Sequence, residues 1–268
     1  MNRIDMNRIT RKFTQLKEQG KKAFIAFITA GDPNLKATEK LVLAFENAGV
    51  DIVELGVPFS DPMADGPVIQ ASSQRALDKS ISLSRIFDCV GRIRRKSDIP
   101  IVLMTYYNPV FHFGEGQAVQ AAARAGVDAF IIPDLPCEEA AVLRKAAAGK
   151  NIAAVFFIAP TTALARVKPI ADASTGFIYY VSLTGVTGAK QNLFQEAAAG
   201  IRRVRRMTNK PVCVGFGIST PAQVKAFSRV ADGVIVGSAI VKEIEKNTGR
   251  RDLVKNVVRF VQNLSCAV

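Results

Sequence analysis

Glu54 sits near the end of the apolar run Ile52-Val53-Glu54-Leu55-Gly56, and Asp65 follows 11 residues later in the loop Val57-Pro58-Phe59-Ser60-Asp61-Pro62-Met63-Ala64-Asp65-Gly66-Pro67. Burying a carboxylate in an apolar strand is costly unless it is paired or put to use. At the C-terminal end of a strand in an α/β barrel, such a group is a candidate general acid or base. Strand alternation puts Ile52, Glu54 and Gly56 on one side and Val53 and Leu55 on the other. If Val53 and Leu55 pack on helices, Glu54 points into a barrel mouth. From the strand alone, a structural ion pair with a Lys or Arg explains Glu54 equally well. The competing reading of Asp65 is turn chemistry, because Asp before Gly is a common turn pair, and Asp61 before Pro62 invites the same reading. Tyr179 alternates with Phe177 and Val181 and shares an interior face with them, where a core aromatic with a satisfied hydroxyl is the commoner role. His112, the single histidine, reads as a packing or surface residue in the loop Val110–Gly114.

Anion-binding chemistry is spelled out further along. Gly215-Phe216-Gly217-Ile218-Ser219-Thr220-Pro221 and Gly237-Ser238-Ala239-Ile240 each follow a short apolar run. Glycine lets backbone N–H groups approach an anion closely. Thr220 is a good N-cap, with Pro221 in the first helical position and Gln223 completing a capping-box pattern. A helix N-terminus binds phosphate through free N–H groups and its dipole. Taken singly each glycine pair reads as a turn. A third glycine loop, Thr184-Gly185-Val186-Thr187-Gly188-Ala189, is placed to act as a lid.

The elements that must carry these residues alternate regularly. Strand-like runs fall at Ala23–Thr29, Ile52–Gly56, Ile101–Thr105, Ala129–Ile132, Ala153–Ile158, Phe177–Val181, Val212–Gly215 and Gly233–Val236, with helical patterns between them. Leu41, Leu43, Ala44, Phe45 and Ala48, stopped by Gly49, form one such pattern; Ala140, Ala141, Leu143, Ala146 and Ala147, stopped by Gly149, form another. An N-terminal helix fits Ile4, Ile9, Phe13 and Leu16, ended by Gly20. Eight strands, each followed by a helix, predict a (β/α)8 TIM barrel with an extra N-terminal helix, a single domain over residues 1–268. An open doubly wound sheet is the alternative. It loses ground because the last two units look like a barrel phosphate site, which such barrels build after strands 7 and 8.

Composition narrows the classes. Hydrophobic residues make up 49% of the 268 and charged residues 22%, which excludes global disorder. The longest apolar run, Ala23–Ile28, is far short of the ~20 residues of a membrane span. The turn Gly31-Asp32-Pro33 after it marks a buried strand rather than a leader, so a cytoplasmic chain with no membrane contact is expected. The 4 cysteines form no CxxC pair, so neither a disulfide framework nor a metal site is expected. The net charge of +13 reads as solvated helix faces or as attraction for anions. With 7% aromatics and no Trp, base-stacking platforms are not evident and no nucleic-acid partner is expected. No Lys lies inside an expected strand, which argues against a Schiff-base aldolase. Carbon–carbon cleavage on this scaffold therefore needs a substrate that serves as its own electron sink.

At these residues the chain resembles the tryptophan synthase alpha chain family. Glu54–Gln70 matches the family's signature almost position by position. Phe27-Ile28-Thr29-Ala30-Gly31-Asp32-Pro33, Gly185–Gly188, Gly215–Ser219 and Gly237–Val241 match in the same order. The resemblance implies a lyase that cleaves indole-3-glycerol phosphate to indole and glyceraldehyde 3-phosphate, in the last steps of tryptophan biosynthesis. It implies an α2β2 heterotetramer with a beta chain that holds pyridoxal phosphate, and no cofactor in this chain. Residue by residue, it makes Glu54 the acid/base, Asp65 the carboxylate that accepts the ring N–H, and Tyr179 a supporting tyrosine. It makes Thr187 a lid residue that orients Asp65. Gly188, Phe216, Gly217, Gly237 and Ser238 become the phosphate cradle, and Phe27 and Ile69 neighbours of the indole. Thr105-Tyr106-Tyr107-Asn108-Pro109 departs from relatives with a shorter segment and leaves open which tyrosine faces the substrate. Leu183 stands where some relatives carry a basic residue. A non-catalytic subunit that binds and activates a beta chain, with Val57–Met63 in its surface, is the alternative function. Within enzymes the alternative is another sugar-phosphate barrel such as an isomerase.

Overall fold

Nine parallel strands form one sheet in the order β5-β4-β3-β2-β1-β9-β8-β7-β6 among the described residues, which are 6–182, 190–215 and 217–268 of a computed structural model. The strands are β1 (Ala23–Thr29), β2 (Ile52–Gly56), β3 (Ile101–Met104), β4 (Ala129–Ile131), β5 (Ala153–Val155), β6 (Phe157–Ile158), β7 (Ile178–Val181), β8 (Val212–Gly215) and β9 (Gly233–Val236). Between and after them run α1 (Arg8–Glu18), α2 (Leu35–Glu46), α3 (Pro67–Leu77), α4 (Leu83–Arg94), α5 (Tyr107–Phe113), α6 (Glu115–Ala125), α7 (Ala141–Ala148), α8 (Leu164–Ala173), α9 (Lys190–Arg206), α10 (Pro221–Ser228), α11 (Ser238–Asn247) and α12 (Leu253–Ser265).

The two ends of that strand order, β5 and β6, are separated only by Phe156, so the sheet closes on itself as a (β/α)8 barrel. The sequence reads Ala153–Ile158 as one strand; the structure breaks it. Its first half pairs with β4 (Ala153 opposite Ala129) and its second with β7 (Phe157 opposite Tyr179), so the run changes neighbour at the break.

Alternation divides the side chains as the pleat requires. Phe24, Ala26, Ile28, Val53 and Leu55 join the layer between sheet and helices, whereas Ile25, Ile52, Val102, Ile131, Val155, Phe177, Tyr179, Cys213 and Ile235 fill the barrel interior. Helix α1 stoppers the N-terminal end. Its apolar positions Ile9, Phe13 and Leu16 recur at helical spacing and are buried, and Phe13 meets Phe177 with ring centroids 5.9 Å apart. Burying three such side chains contributes about 1.5–3 kcal/mol each. Asn7 caps the helix by accepting the Ile9 N–H at 2.9 Å, and Gly20 turns the chain out with φ of 67°. Ile4 lies outside the described residues.

One local expectation is corrected. His112 lies on a helix, α5, and not in a loop, and of the two readings, packing or surface, it takes the surface one. The Asp134 carboxylate accepts the Tyr107 N–H at 2.9 Å and so caps that helix from a distant loop. Pro109 falls in its first turn, where a missing N–H does no harm.

Candidate active site

Glu54 occupies the inward side of β2, between Phe27 of β1 and Val102 of β3. It is 1% exposed, and among the described residues neither of its carboxylate oxygens has a hydrogen-bond partner. The ion pair that the sequence left open is therefore not formed with any described residue. A buried polar group left unsatisfied costs about 1–3 kcal/mol, more when charged. Burial pushes the Glu54 carboxyl up to about 8, with the nearby charge of Asp65 adding to the push.

The side chain faces a cavity of about 480 Å³ at the C-terminal mouth of the barrel. The cavity is lined by Glu54, Asp65, Tyr179, Phe27, Ile69, Gly217, Gly237 and Ser238, all expected from the sequence, together with Ala64, Gly66, Met104, Pro133, Phe157, Val181 and Ile235. Thr187, Gly188 and Phe216 lie outside the described residues, as does Leu183. The structure thus brings both carboxylates into one apolar-walled space.

Asp65 is half-buried at the end of a tight turn. Its own N–H bonds to the Pro62 carbonyl at 3.0 Å, and the Gln70 side chain donates to its carbonyl at 2.8 Å. Its carboxylate is engaged by Tyr106, whose hydroxyl donates to Oδ2 at 3.1 Å. Burial pushes this carboxyl up to about 6, against the downward pull of that hydrogen bond. At neutral pH the two acids are therefore in different states, Glu54 protonated and Asp65 ionised. Such a split between paired carboxyls assigns acid and acceptor roles.

Space for the aromatic walls comes from missing Cβ atoms. A Cβ on Gly56 would stand 2.6 Å from the Phe27 ring, and one on Gly215 would stand 2.4 Å from the Tyr179 hydroxyl. Tyr179 packs on Phe157 with centroids 4.8 Å apart, and burial holds its phenol well above the ordinary range.

Opposite the carboxylates lie two helix starts. Thr220 caps α10 with the full capping box, Thr220 and Gln223 satisfying each other's backbone N–H groups, and Pro221 is in the first turn. Helix α11 starts at Gly237, with no side-chain cap. That leaves amides at its first turn facing the rim beside Ser238. Helix α3, which carries Ile69, is braced to this side. Arg75 grips Asp32 in a two-pronged pair (3.0 and 2.7 Å) and reaches Glu245 of α11 at 2.7 Å. Among the described residues no cluster of His, Cys, Asp and Glu is arranged to hold a metal ion.

Sequence reasoning left Tyr106 and Tyr107 undecided and did not single out Met104, Phe157 or Ile235. The last three lie on strands in the inward phase of the alternation, and that phase was the available signal. For Tyr106 there was none, since it follows the strand end.

Comparison with known proteins agrees with this geometry. The family model of the tryptophan synthase alpha chain matches residues 13–268. The tryptophan synthase alpha chain of Citrifermentans bemidjiense is 49% identical over 263 residues, covering 98% of each chain. That of Caldanaerobacter subterraneus is 49% identical over 259 residues, covering 97% of this chain and 98% of the relative. The solved alpha subunit from Legionella pneumophila superposes with a TM-score of 0.91 at 35% identity, covering 98% of both. A chain of the tryptophan synthase α2β2 complex from Pyrococcus furiosus superposes with a TM-score of 0.84 at 40% identity, covering 90% of this chain and 97% of that one. With the barrel, the paired acids and the rim glycines in place, this chain belongs to the tryptophan synthase alpha chain family.

Proposed function

We propose that Glu54 and Asp65 divide the work of the family's lyase reaction, the cleavage of indole-3-glycerol phosphate to indole and glyceraldehyde 3-phosphate. The observation that carries this division is the buried Glu54 carboxyl, without a hydrogen-bond partner among the described residues, facing the same cavity as Asp65. Protonated Glu54 gives its proton to the ring carbon that bears the side chain. Asp65 accepts the ring N–H and balances the positive charge that develops on the ring. The carbon–carbon bond then breaks and its electron pair returns to the ring. The adjacent hydroxyl hands its proton to Glu54 as its carbon becomes the aldehyde, so the acid is regenerated.

Tyr179 supports the two acids, and Phe27 and Ile69 wall the indole. Gly217, Gly237 and Ser238 hold the phosphate with Gly188 and Phe216, and Thr187 orients Asp65 from the lid. The chain works as one domain in the cytoplasm, without a cofactor of its own. It docks on a pyridoxal-phosphate beta chain in an α2β2 assembly. Met63, which ends the Val57–Met63 segment of this docking surface, stands 90% exposed, and Phe111 on α5 65%. Among the described residues no helix is long and apolar enough to cross a membrane.

The test is indole release from indole-3-glycerol phosphate, with and without a beta chain. Catalysis by the wild type that survives Glu54→Gln at full rate overturns the division of roles. Stimulation of the beta reaction by a chain that never releases indole favours the regulatory subunit.

A further inference from the structure

We infer that Tyr106 is a positioning residue that latches the Asp65 loop and leaves one carboxylate oxygen of Asp65 free for the substrate. The inference rests on the lyase reading above and adds a device to it.

Three contacts from three different residues of one loop converge on this side chain. The Tyr106 hydroxyl accepts the Ala64 N–H at 2.9 Å and donates to Asp65 Oδ2 at 3.1 Å. Its ring stacks on Phe59, with centroids 4.9 Å apart and planes inclined by 24°. A phenol has one proton to give and lone pairs to receive. The ionised Asp65 carboxylate can only accept and the Ala64 N–H can only donate, so the phenol's single proton goes to Asp65. Tyr106 is 5% exposed and follows β3, one of the walls of the barrel. It is thus a rigid post, and the loop hangs on it. Among the described residues the side-chain donor to Asp65 is on Oδ2, which leaves Oδ1 to meet an N–H donor in the cavity. A donor already in place costs no reorganisation when charge develops.

Electrostatics agree with the geometry. The hydrogen bond from Tyr106 pulls the Asp65 carboxyl down against burial. The other titratable groups around this pair are Glu54 on β2 and Tyr179 on β7, both of which feel the Asp65 charge, and Asp134 after β4, which acts on Tyr106. Glu54 and Tyr179 are neutral where Asp65 titrates, since burial raises both. Burial, and after it the charge of Asp65, hold the Tyr106 phenol in the protonated, donating form, with Asp134 adding a smaller push. Tyr107, the neighbour, is engaged through its backbone N–H with Asp134.

The experiment is the pH profile of kcat/KM for indole release by the holoenzyme with its beta chain, comparing wild type, Tyr106→Phe and Tyr107→Phe. Losing the donor raises the Asp65 pKa. The acid limb of Tyr106→Phe therefore moves up by about one pH unit, and kcat/KM near pH 7 falls about twofold through that shift. Tyr107→Phe follows the wild type. Replacing Tyr106 by 3-fluorotyrosine keeps the shape and strengthens the donor, so the limb moves down; this arm decides the matter if Tyr106→Phe folds poorly. An acid limb that stays put in the Tyr106→Phe and 3-fluorotyrosine enzymes overturns the latch. A wild-type holoenzyme that releases no indole overturns the lyase reading instead, and the two failures are told apart by that control.

Discussion

At the floor of the barrel, Asp51, Asp128 and Asp232 each stand one residue ahead of a strand, and each accepts the backbone N–H of the strand beside it. Phe24 N–H reaches Asp51 at 2.9 Å, Ile101 N–H reaches Asp128 at 2.8 Å and Val212 N–H reaches Asp232 at 3.1 Å. Basic side chains complete the shells: Lys12 for Asp51, Arg8 and Arg94 for Asp128, Lys22 and Arg205 for Asp232. At the mouth, Glu54 is as deeply buried as Asp128 and has none of this among the described residues. The same functional group is thus satisfied at one end and left unsatisfied at the other. The floor spends its carboxylates on registering neighbouring strands and anchoring α1. The mouth keeps one in reserve, uncharged, for a substrate. This agrees with the division of barrel enzymes into a stabilising face and a reacting face.

The sharpest test of that contrast is Glu54→Gln. Indole release falls by about 10³–10⁴-fold through loss of the acid/base, while glyceraldehyde 3-phosphate still binds; steady-state kinetics and equilibrium binding separate the two. The same variant carries a stability signature. The folded Glu54 pKa is raised, so the stability linked to this proton is complete below about 4.5 and is lost as pH climbs through about 8. Gln has no such dependence. Between these pH values the variant gains on the wild type by about 1.4 kcal/mol per pH unit in denaturant titrations. A variant that loses ground on the wild type as pH rises would place Glu54 among the satisfied carboxylates.

Asp128→Ala makes the converse case. It strands Arg94, which is 12% exposed at its side chain, and removes the cap on Ile101. Unfolding free energy drops by about 3–5 kcal/mol, while kcat of the folded fraction stays at the wild-type value. A fall in kcat at full folding would show that floor and mouth are not independent.

Asp65→Asn retains the loop and loses the charge. The rate falls by about 10²–10³-fold, and the acid limb disappears from the pH profile. For the wild type, kcat/KM follows a bell with limbs near pH 6, where Asp65 ionises, and pH 8, where Glu54 loses its proton. A profile that rises without a basic limb would remove protonated Glu54 from the mechanism.

Much of the mouth was legible because its signals are local. The two-residue repeat sets Glu54 on the face opposite Val53 and Leu55, and Tyr179 with Phe177 and Val181, and Thr220, Pro221 and Gln223 cap a helix from within four residues. The floor was less legible. Ala-Gly-Val-Asp occurs at both 48–51 and 125–128, yet nothing in the tetrapeptide shows that Asp will cap the preceding strand rather than end a turn. The helix under His112 was missed for the same reason, since its cap comes from Asp134. Likewise, Ala153–Ile158 is one apolar run to the eye and breaks only because two different neighbours claim its halves.

The order of strands and helices, the face that Glu54 shares with Ile52 and Gly56, and the capping box at Thr220 follow from this sequence alone, because pleat, helical period and capping act over a few residues. That Glu54 lacks a hydrogen-bond partner among the described residues, that Tyr106 and not Tyr107 reaches Asp65, and that Arg75 ties α3 to α11 were settled only by closure of the ring. These contacts join residues 41 and 170 positions apart for Tyr106–Asp65 and Arg75–Glu245, and only the packed barrel fixes such distances.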